Sequence, residues 1–254
     1  MKIKALFLSA LMMGAGFSVN ASDATNVPLT PPENGEIVAE EGEVTDEVIE
    51  EEVEPEKKWK IFTGGVYFGA GHASLHDGLG HASGVTWEVG LLNAIGVSYN
   101  FGNCNRLSLG FGYAAKFYKL KDRMHFTSND EGVVSIVPFA DNMHKTTSTL
   151  TIHSFQFPLL YSRGLSNGKC TIWGGAIMNT NFYASYDRTY RLDNTTYNES
   201  TNHIHQRVVT FDAILGVQYK ILSLYCRYSP QNRFKSGYGP KLDHSWTLGL
   251  SFGF

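Results

Sequence analysis

The pattern that most restricts the fold of this chain is the alternation in its last eleven residues, 244–254. Every second position holds a large apolar residue and the positions between hold small or polar ones; the apolar residues are Trp246, Leu248, Leu250, Phe252 and Phe254. Successive side chains of a β-strand point to opposite faces, whereas a helix repeats every 3.6 residues. The segment is therefore predicted to be a β-strand with one apolar face, in a membrane barrel or at the end of a soluble sandwich.

Residues 1–21 have the three parts of a secretory signal peptide. Lys2 and Lys4 give a basic start, an apolar run extends from Ala5 to Phe17, and small residues precede the expected cleavage after Ala21. No later stretch reaches the eighteen uninterrupted apolar residues of a transmembrane helix. We expect an exported protein without a helical anchor, which leaves the periplasm, the medium or the outer membrane as its destination.

Residues 22–58 form an acidic segment. They contain thirteen Asp and Glu against two Lys, together with four Pro and no aromatic residue. Such a composition buries too little apolar surface to offset the entropy of ordering the chain. The segment is predicted to be disordered and periplasmic, and to act either as a spacer or as a site for a basic partner or cations.

The remaining residues, 59–254, are predicted to form one barrel domain. In residues 85–101, large apolar side chains alternate with small and polar ones. Trp87 and Tyr99 are twelve residues apart, which at about 3.3 Å per residue and a tilt of about 40° spans on the order of 30 Å. That distance separates the two aromatic girdles of a membrane barrel. Asn93 falls on the apolar face, where either a bulge or a lipid-facing asparagine would explain it.

Eight such strands are predicted, at 59–72, 85–101, 106–121, 146–163, 170–187, 207–221, 222–230 and 244–254. Short connections, at 102–105, 164–169 and near 221, alternate with long ones at 73–84, 122–145, 188–206 and 231–243. Tight periplasmic turns and long outer loops are typical of outer-membrane barrels. Pro158, inside the fourth strand, predicts a local bulge or bend. The predicted fold class is all-β: an eight-stranded antiparallel up-and-down transmembrane β-barrel, preceded by a signal peptide and a disordered acidic segment.

Polar side chains on the opposite faces of these strands are predicted to point into the barrel. They are Glu88, Lys116, Asp212, Gln218, Lys220, Tyr225 and Arg227, with Arg106 and Arg163 near the periplasmic rim. Eight strands enclose only enough space for side chains, so these groups are expected to form a packed polar plug. A basic residue placed on the lipid side instead would cost about 2–4 kcal/mol near the middle of the membrane.

Several segments resemble known outer-membrane barrels. The last strand ends on an aromatic residue and resembles the terminal strand that the barrel-insertion machinery recognises, so its five apolar residues are predicted to be an assembly signal. Residues 155–161, 212–219, 224–229 and 247–252 resemble the PorT-like outer-membrane β-barrel family of Bacteroidetes-type bacteria, although Gln156 stands where that family usually has a small or acidic residue. The resemblance implies a location in the cell outer membrane, and its members include a component of a protein-secretion system.

Catalytic and metal-binding patterns are weak in this sequence. The histidines and aspartate of the first outer loop could suit zinc or copper, but their spacing in a glycine-rich loop also fits a plain polar loop; they are His72, His76, Asp77 and His81. The adjacent pairs His153–Ser154 and His244–Ser245 point to opposite faces of a strand and cannot form Ser–His dyads by themselves. No catalytic residue, metal site or cofactor is predicted, and no nucleic-acid module is present in the sequence.

The sequence therefore predicts a non-enzymatic interaction, assembly or structural protein of the outer membrane, with a link to protein secretion implied by the family resemblance. Its expected partners are outer-membrane lipids, the barrel-insertion machinery and a periplasmic or outer-membrane protein. Two alternatives stay open at this point: a lipid-modifying enzyme of the outer membrane, and a small pore.

Overall fold

A computed structural model describes residues 58–77, 80–101, 104–165, 169–202 and 204–253. The predicted signal peptide and all but the last residue of the acidic segment lie outside the described residues. The described chain forms twelve strands: β1 (Trp59–Phe62), β2 (Val66–Asp77), β3 (Gly80–Phe101), β4 (Asn105–Leu120), β5 (Met124–Ser128), β6 (Val134–Pro138), β7 (His144–Leu165), β8 (Cys170–Leu192), β9 (Thr195–Thr201), β10 (Val209–Tyr219), β11 (Leu222–Ser229) and β12 (Lys241–Phe252). None of the described residues belongs to a helix long and apolar enough to cross a membrane.

The strands close into a barrel. β1 and β2 both pair with β3 and together form one wall strand, interrupted at residues 63–65. The wall continues through β4, β7, β8, β10, β11 and β12 by antiparallel neighbour pairing, and β12 returns to pair with β2. Closure through β12 and β2 leaves eight wall strands, which confirms the predicted fold class.

The wall strands alternate between exposed and buried side chains. In β10 the alternation is nearly perfect, with Phe211 and Leu215 exposed outward and Asp212 and Ile214 buried inward. Large apolar side chains thus cover the outside, while polar and small ones are turned inward. Such an arrangement reverses the usual rule for soluble proteins and suits a barrel surrounded by hydrocarbon.

Asn93 is explained by a bulge. The register between β3 and β4 shifts between Leu91 and Ile95, so that Leu92 and Asn93 are both buried inside the wall. β3 has two more residues than β4 between these pairs, and Ile95 lies again on the outer face, where it is exposed. The structure therefore selects the bulge over a lipid-facing asparagine.

Of the bulge or bend predicted at Pro158, no bulge is present at the residue itself. β7 keeps one register with β8 on both sides of Pro158, and its pairing with β4 has the same register before and after the residue. Only the pairs at positions 110–158 and 111–157 are missing from the β4 side. The proline lacks a backbone N–H, so the ladder is interrupted there without an inserted residue.

The long connections are more ordered than the sequence predicts. β2 and β3 extend far enough to pair Asp77 with Gly80, so the long loop predicted at 73–84 is wrong. The connection after β4 contains the β5–β6 hairpin, and the connection after β8 contains β9, which continues the β8 ladder. At the opposite end, the connections after β3, β7 and β10 are all short, and this asymmetry places that end in the periplasm.

Buried apolar side chains form two clusters. The larger joins the outer ends of the wall strands to the β5–β6 hairpin and includes Leu75, Tyr118, Phe126, Ile136 and Phe234. The smaller lies within the membrane-spanning part and includes Tyr67, Trp173, Ile177, Ile214 and Tyr225. Besides these apolar clusters, the interior of the barrel contains buried charged residues.

Candidate functional site

A belt of lipid-facing apolar residues surrounds the barrel. Leu215 and Leu248 in its middle are 62% and 63% exposed. Exposing such large apolar side chains to water would be unfavourable. At the short-turn end, aromatic rings follow one another from Trp59 through Tyr99 and Phe101 to Tyr161, with ring centroids 4.8–6.3 Å apart. At the other end, Phe68 stacks on Trp87 and Tyr228 on Trp246. These two girdles bound the membrane-spanning part.

The first ion group inside the barrel is centred on Glu88 of β3. Arg227 of β11, fully buried, donates from Nη1 to Glu88 Oε2 at 3.0 Å and to the Tyr67 hydroxyl at 3.2 Å. The Tyr225 hydroxyl donates to Glu88 Oε1 at 2.9 Å. The Arg227 guanidinium also lies 4.8 Å from the centroid of the Tyr67 ring. Both carboxylate oxygens of Glu88 are therefore satisfied although the side chain is excluded from water.

The second ion group is centred on Asp212 of β10. Lys116 Nζ donates to its Oδ2 at 2.6 Å, and Arg233 Nη2 donates to its Oδ1 at 3.2 Å. The Asn179 amide also donates to Oδ2 at 2.9 Å. Lys116 lies 3.9 Å from Glu88 Oε2 and joins the two ion groups. Three basic residues thus face two carboxylates in this interior.

Neutral hydrogen bonds join the same two groups by another route across the barrel. The Tyr67 hydroxyl donates to Gln156 Oε1 at 3.0 Å, and Gln156 Nε2 donates to Asn179 Oδ1 at 3.0 Å. Because these side chains come from β2, β7 and β8, the network reaches between opposite walls. We call this set the polar plug: Tyr67, Glu88, Lys116, Gln156, Asn179, Asp212, Tyr225, Arg227 and Arg233. Among the described residues, this set extends across the barrel from one wall to the other.

Four of the residues predicted to point into the barrel lie together. Glu88, Lys116, Asp212 and Arg227 are all buried inside the barrel and lie in the two joined ion groups. They come from two pairs of consecutive strands, β3 with β4 and β10 with β11, and closure of the barrel brings the inward faces of the two pairs together.

The interior differs from the sequence prediction at other positions. Lys220 was expected inside, but it lies exposed in the turn between β10 and β11, with Nζ 5.7 Å from the Tyr219 ring centroid. Arg233 was not predicted because it lies after β11 in an outer connection. No periodic pattern in the sequence indicates that this connection folds into the barrel. Gln156 and Asn179 carried a detectable signal, since each falls on the small polar phase of its strand.

The β5–β6 hairpin packs on the outer ends of the wall strands and covers the outer end of the interior. We call the hairpin and the buried side chains beneath it the apolar cap. Phe126 of β5 is fully buried, and its ring lies 6.2 Å from that of Tyr186 on β8. The Ser148 hydroxyl accepts a hydrogen bond from the Phe126 backbone N–H, which fixes β5 against β7. Arg123 donates to three backbone carbonyls of residues 140–143 and so closes the base of the hairpin. The hairpin is therefore held on the barrel by side chains and backbone alike.

The outer end of β8 and strand β9 carry a polar cluster beside this cap. Arg188 pairs with Glu199, and the Tyr190 hydroxyl donates to Glu199 Oε1 at 2.7 Å. The hydrogen bond from Tyr190 lowers the pKa of Glu199 below its usual 4.5. Tyr190 also stacks on Tyr197 with centroids 5.3 Å apart. This hairpin edge presents aromatic and charged groups to the outside.

The predicted assembly signal lies on the lipid-facing side of β12. Trp246, Leu248, Leu250 and Phe252 are all exposed on the outside of the barrel, and Phe254 lies outside the described residues. Their part in barrel insertion stays a prediction.

The histidines of the predicted first outer loop lie on β2 and β3, where His76 pairs with His81 across the hairpin. His72 lies on the outer face, opposite Trp246, and no group of three or more His, Cys, Asp or Glu residues with metal-binding geometry occurs among the described residues. His153 points outward and contacts the Tyr113 hydroxyl, whereas Ser154 points inward and donates to Asn181 Oδ1 at 2.6 Å. The two therefore face opposite sides of the wall.

No protein-family model and no curated protein matches the sequence. Solved structures with a similar course of the chain include neisserial surface protein A (14% identity, TM-score 0.35, 77% of this chain and 99% of that one). They also include Ail of Yersinia pestis, solved with a heparin analogue (10%, 0.29, 76% and 100%). A third is the translocator domain of the autotransporter NalP of Neisseria meningitidis (12%, 0.26, 76% and 90%). Likeness at this level carries no argument about activity.

The class of this protein follows from its own geometry. A closed antiparallel sheet of eight strands, an apolar belt between two aromatic girdles and a buried polar interior define a transmembrane β-barrel. The protein is a barrel of the bacterial outer membrane.

Proposed function

We propose that this protein is a membrane-anchored interaction protein, in which a sealed barrel holds a structured cap outside the cell for contact with another macromolecule. The observation that carries the proposal is the double closure of the interior. The polar plug occupies the membrane-spanning part and the apolar cap lies above it. With both in place, the barrel serves as an anchor, and the surfaces left for function are its two ends.

The packed outer end supports this role. β7 and β8 continue past the girdle, and β9 with the β5–β6 hairpin packs against them. A preorganised surface loses less conformational entropy on binding than a mobile loop does. Tyr197 is exposed beside the Arg188–Glu199 pair, and aromatic residues with a charged neighbour are frequent anchors of protein interfaces.

The family resemblance extends the proposal towards a secretion assembly. The PorT-like segments motivate a periplasmic or outer-membrane protein partner, and the acidic residues 22–58 offer a second site for a basic one. A lipid-modifying enzyme and a small pore are the competing functions. The first predicts altered lipids after deletion of the gene, and the second predicts discrete conductance.

A pull-down from outer membranes in mild detergent tests the proposal with three versions of the chain. They are the full chain, a chain lacking residues 24–57, and a cap variant in which exposed Asp130, Glu131 and Tyr197 are replaced by Ser. A matched control replaces three residues of the short-turn end by Ser: half-buried Asn105 and exposed Lys169 and Lys220.

A specific partner that is retained by the control and lost from the cap variant is the expected result. Loss only from the chain lacking residues 24–57 would move the interaction to the acidic segment and contradict the role of the cap. Recovery of every version without a partner, with altered membrane lipids in the deletion strain, would favour the enzyme instead.

A further inference from the structure

The charge at the periplasmic end of the barrel is one-sided. Basic residues lie on the short turns and strand ends there: Lys58, Lys60, Arg106, Arg163, Lys169 and Lys220. No Asp or Glu occurs among the described residues of this end, which are 58–62, 98–101, 104–107, 161–165, 169–172, 218–223 and 251–253. We call this set of six residues the basic rim.

The opposite end has no such bias. Apart from Arg233 of the polar plug, its connections and strand ends carry nine basic residues, at 119, 121, 123, 145, 188, 191, 207, 235 and 241, and nine acidic ones, at 77, 122, 130, 131, 141, 187, 193, 199 and 243. The charges inside the barrel are paired within the polar plug. The basic rim is therefore a local feature and does not reflect the composition of the whole barrel.

The basic rim lies at the level of the lipid headgroups. Trp59, Tyr99 and Tyr161 mark the interfacial girdle, and Lys58, Lys60 and Arg163 lie within two residues of them along their strands. Lys220 lies 5.7 Å from the ring of lipid-facing Tyr219. Aromatic rings at the interface with basic groups beyond them are the arrangement by which membrane proteins contact headgroups.

We propose that the basic rim binds the phosphate groups of anionic phospholipids in the periplasmic leaflet. This inference does not depend on the proposed function, because it concerns the other end of the barrel. Charge complementarity supports it: the described residues of this end contribute six basic side chains and no Asp or Glu, and they face a layer that presents phosphates. Each basic residue near an anionic surface contributes about 1 kcal/mol, which corresponds to about a five-fold preference per contact.

Tryptophan quenching by brominated lipids measures this preference at the rim itself. The full chain carries Trp87→Phe and Trp246→Phe, which removes the lipid-facing tryptophans of the other girdle, while Trp173 is buried inside. Trp59 then reports the lipid at the basic rim. The protein is reconstituted in phosphatidylcholine vesicles that contain brominated phosphatidylglycerol or, at the same mole fraction, brominated phosphatidylcholine.

The expected result is a several-fold preference of the Trp59 site for phosphatidylglycerol at low salt, which falls towards one at high salt. Glutamine at all six rim positions should abolish the preference. A matched control with glutamine at six exposed basic positions of the other end, Lys119, Lys121, Lys145, Arg207, Lys235 and Lys241, should retain it. Heat-dependent migration in gels verifies that both variants form the barrel.

Equal quenching by the two lipids in the full chain would overturn the proposal, and so would a preference that survives in the rim variant. A preference that appears only after removal of residues 24–57 would also overturn it, because lipid would then not be the ligand in the native chain. None of these results bears on the cap, so the proposed function is tested separately.

Discussion

At the scale of single residues, the Arg227–Glu88 pair shows how strongly the interior depends on matched charges. Arg227 is fully buried, and it contacts Glu88 and Tyr67. A buried ion pair contributes little compared with a hydrophobic pair, but removal of one partner leaves an uncompensated charge. A single substitution of a charged residue in the interior should therefore destabilise the barrel, although the ion pair itself contributes little to stability.

Arg227→Met should lower the free energy of unfolding by about 3–5 kcal/mol, because it leaves the Glu88 carboxylate with Lys116 at 3.9 Å as its nearest cation. The double variant Glu88→Gln, Arg227→Met should recover much of this loss. Urea unfolding in vesicles of phosphatidylcholine alone, which contain no anionic lipid for the basic rim, measures both. Arg163→Met at the exposed rim is a control expected to change by less than about 0.5 kcal/mol. A single variant as stable as the control would contradict the role of the pair.

Gly216 is a position where the barrel interior has no room for a side chain. A Cβ there would overlap the indole of Trp173, whose Nε1 donates to Ser223 Oγ at 2.7 Å. Gly216→Ala should therefore cost about 1–3 kcal/mol in free energy of unfolding. Gly164→Ala is the matched control, since its nearest atom would be 3.7 Å away. Equal stabilities of the two variants would show that the indole moves aside freely.

At the scale of elements, the last strand connects the sequence pattern with membrane assembly. Leu250→Asp would place a carboxylate on the lipid-facing side of β12, opposite Leu224 and Phe68 in the neighbouring strands. We expect the variant to fail to assemble, which is measured as loss of heat-modifiable barrel in outer-membrane fractions. Lys241→Asp on the same strand, at its exposed outer end, should assemble normally. Normal assembly of Leu250→Asp would contradict the lipid-facing assignment.

The β5–β6 hairpin should loosen on mild acidification. His125 packs on Phe139 with ring centroids 4.3 Å apart. Burial lowers the pKa of its imidazole below 6.5; the charge of Arg188 lowers this pKa further, and the charge of Glu199 partly raises it. The unfolded hairpin therefore takes up a proton first, so its stability is intact above about pH 6.5 and decreases as the pH falls towards the lowered pKa.

Protease cleavage of residues 121–143 on intact cells, compared between pH 7.5 and pH 5.5, measures this dependence. His125→Phe keeps the ring packing without a titratable group and should remove the difference. This range lies above the usual pKa of Glu199, 4.5, so that carboxylate stays charged. Equal cleavage of the wild-type hairpin at both pH values would contradict the expectation.

The elements also show what the sequence can predict. Alternation located all eight wall strands and the inward positions of Glu88, Lys116, Asp212 and Arg227, because the period of two is set by the geometry of a strand. It could not predict β9, whose side chains are mostly exposed and do not alternate. It also could not predict the β5–β6 hairpin or the position of Arg233, since these depend on contacts with distant strands. Asn93 was ambiguous for the same reason: only the register with β4 distinguishes a bulge from an exposed asparagine.

At the scale of the whole molecule, three layers follow one another along the barrel axis. The basic rim lies at the headgroups, the polar plug fills the membrane-spanning part, and the apolar cap covers the outer end. Each layer draws residues from strands that are far apart in sequence. Because the plug and the cap close the interior, the barrel is not expected to conduct ions although it contains many buried charges. Its expected role is to hold the cap in place.

Conductance across planar bilayers tests the sealed barrel most directly. The full chain, purified and inserted from detergent, should give no discrete current steps at neutral pH. A variant with a shortened plug, Tyr67→Ala, Gln156→Ala and Tyr225→Ala, provides a positive control if it still forms a heat-modifiable barrel, because it should open a path beside the ion groups. Regular single-channel steps from the wild-type protein would contradict the account and favour a small pore.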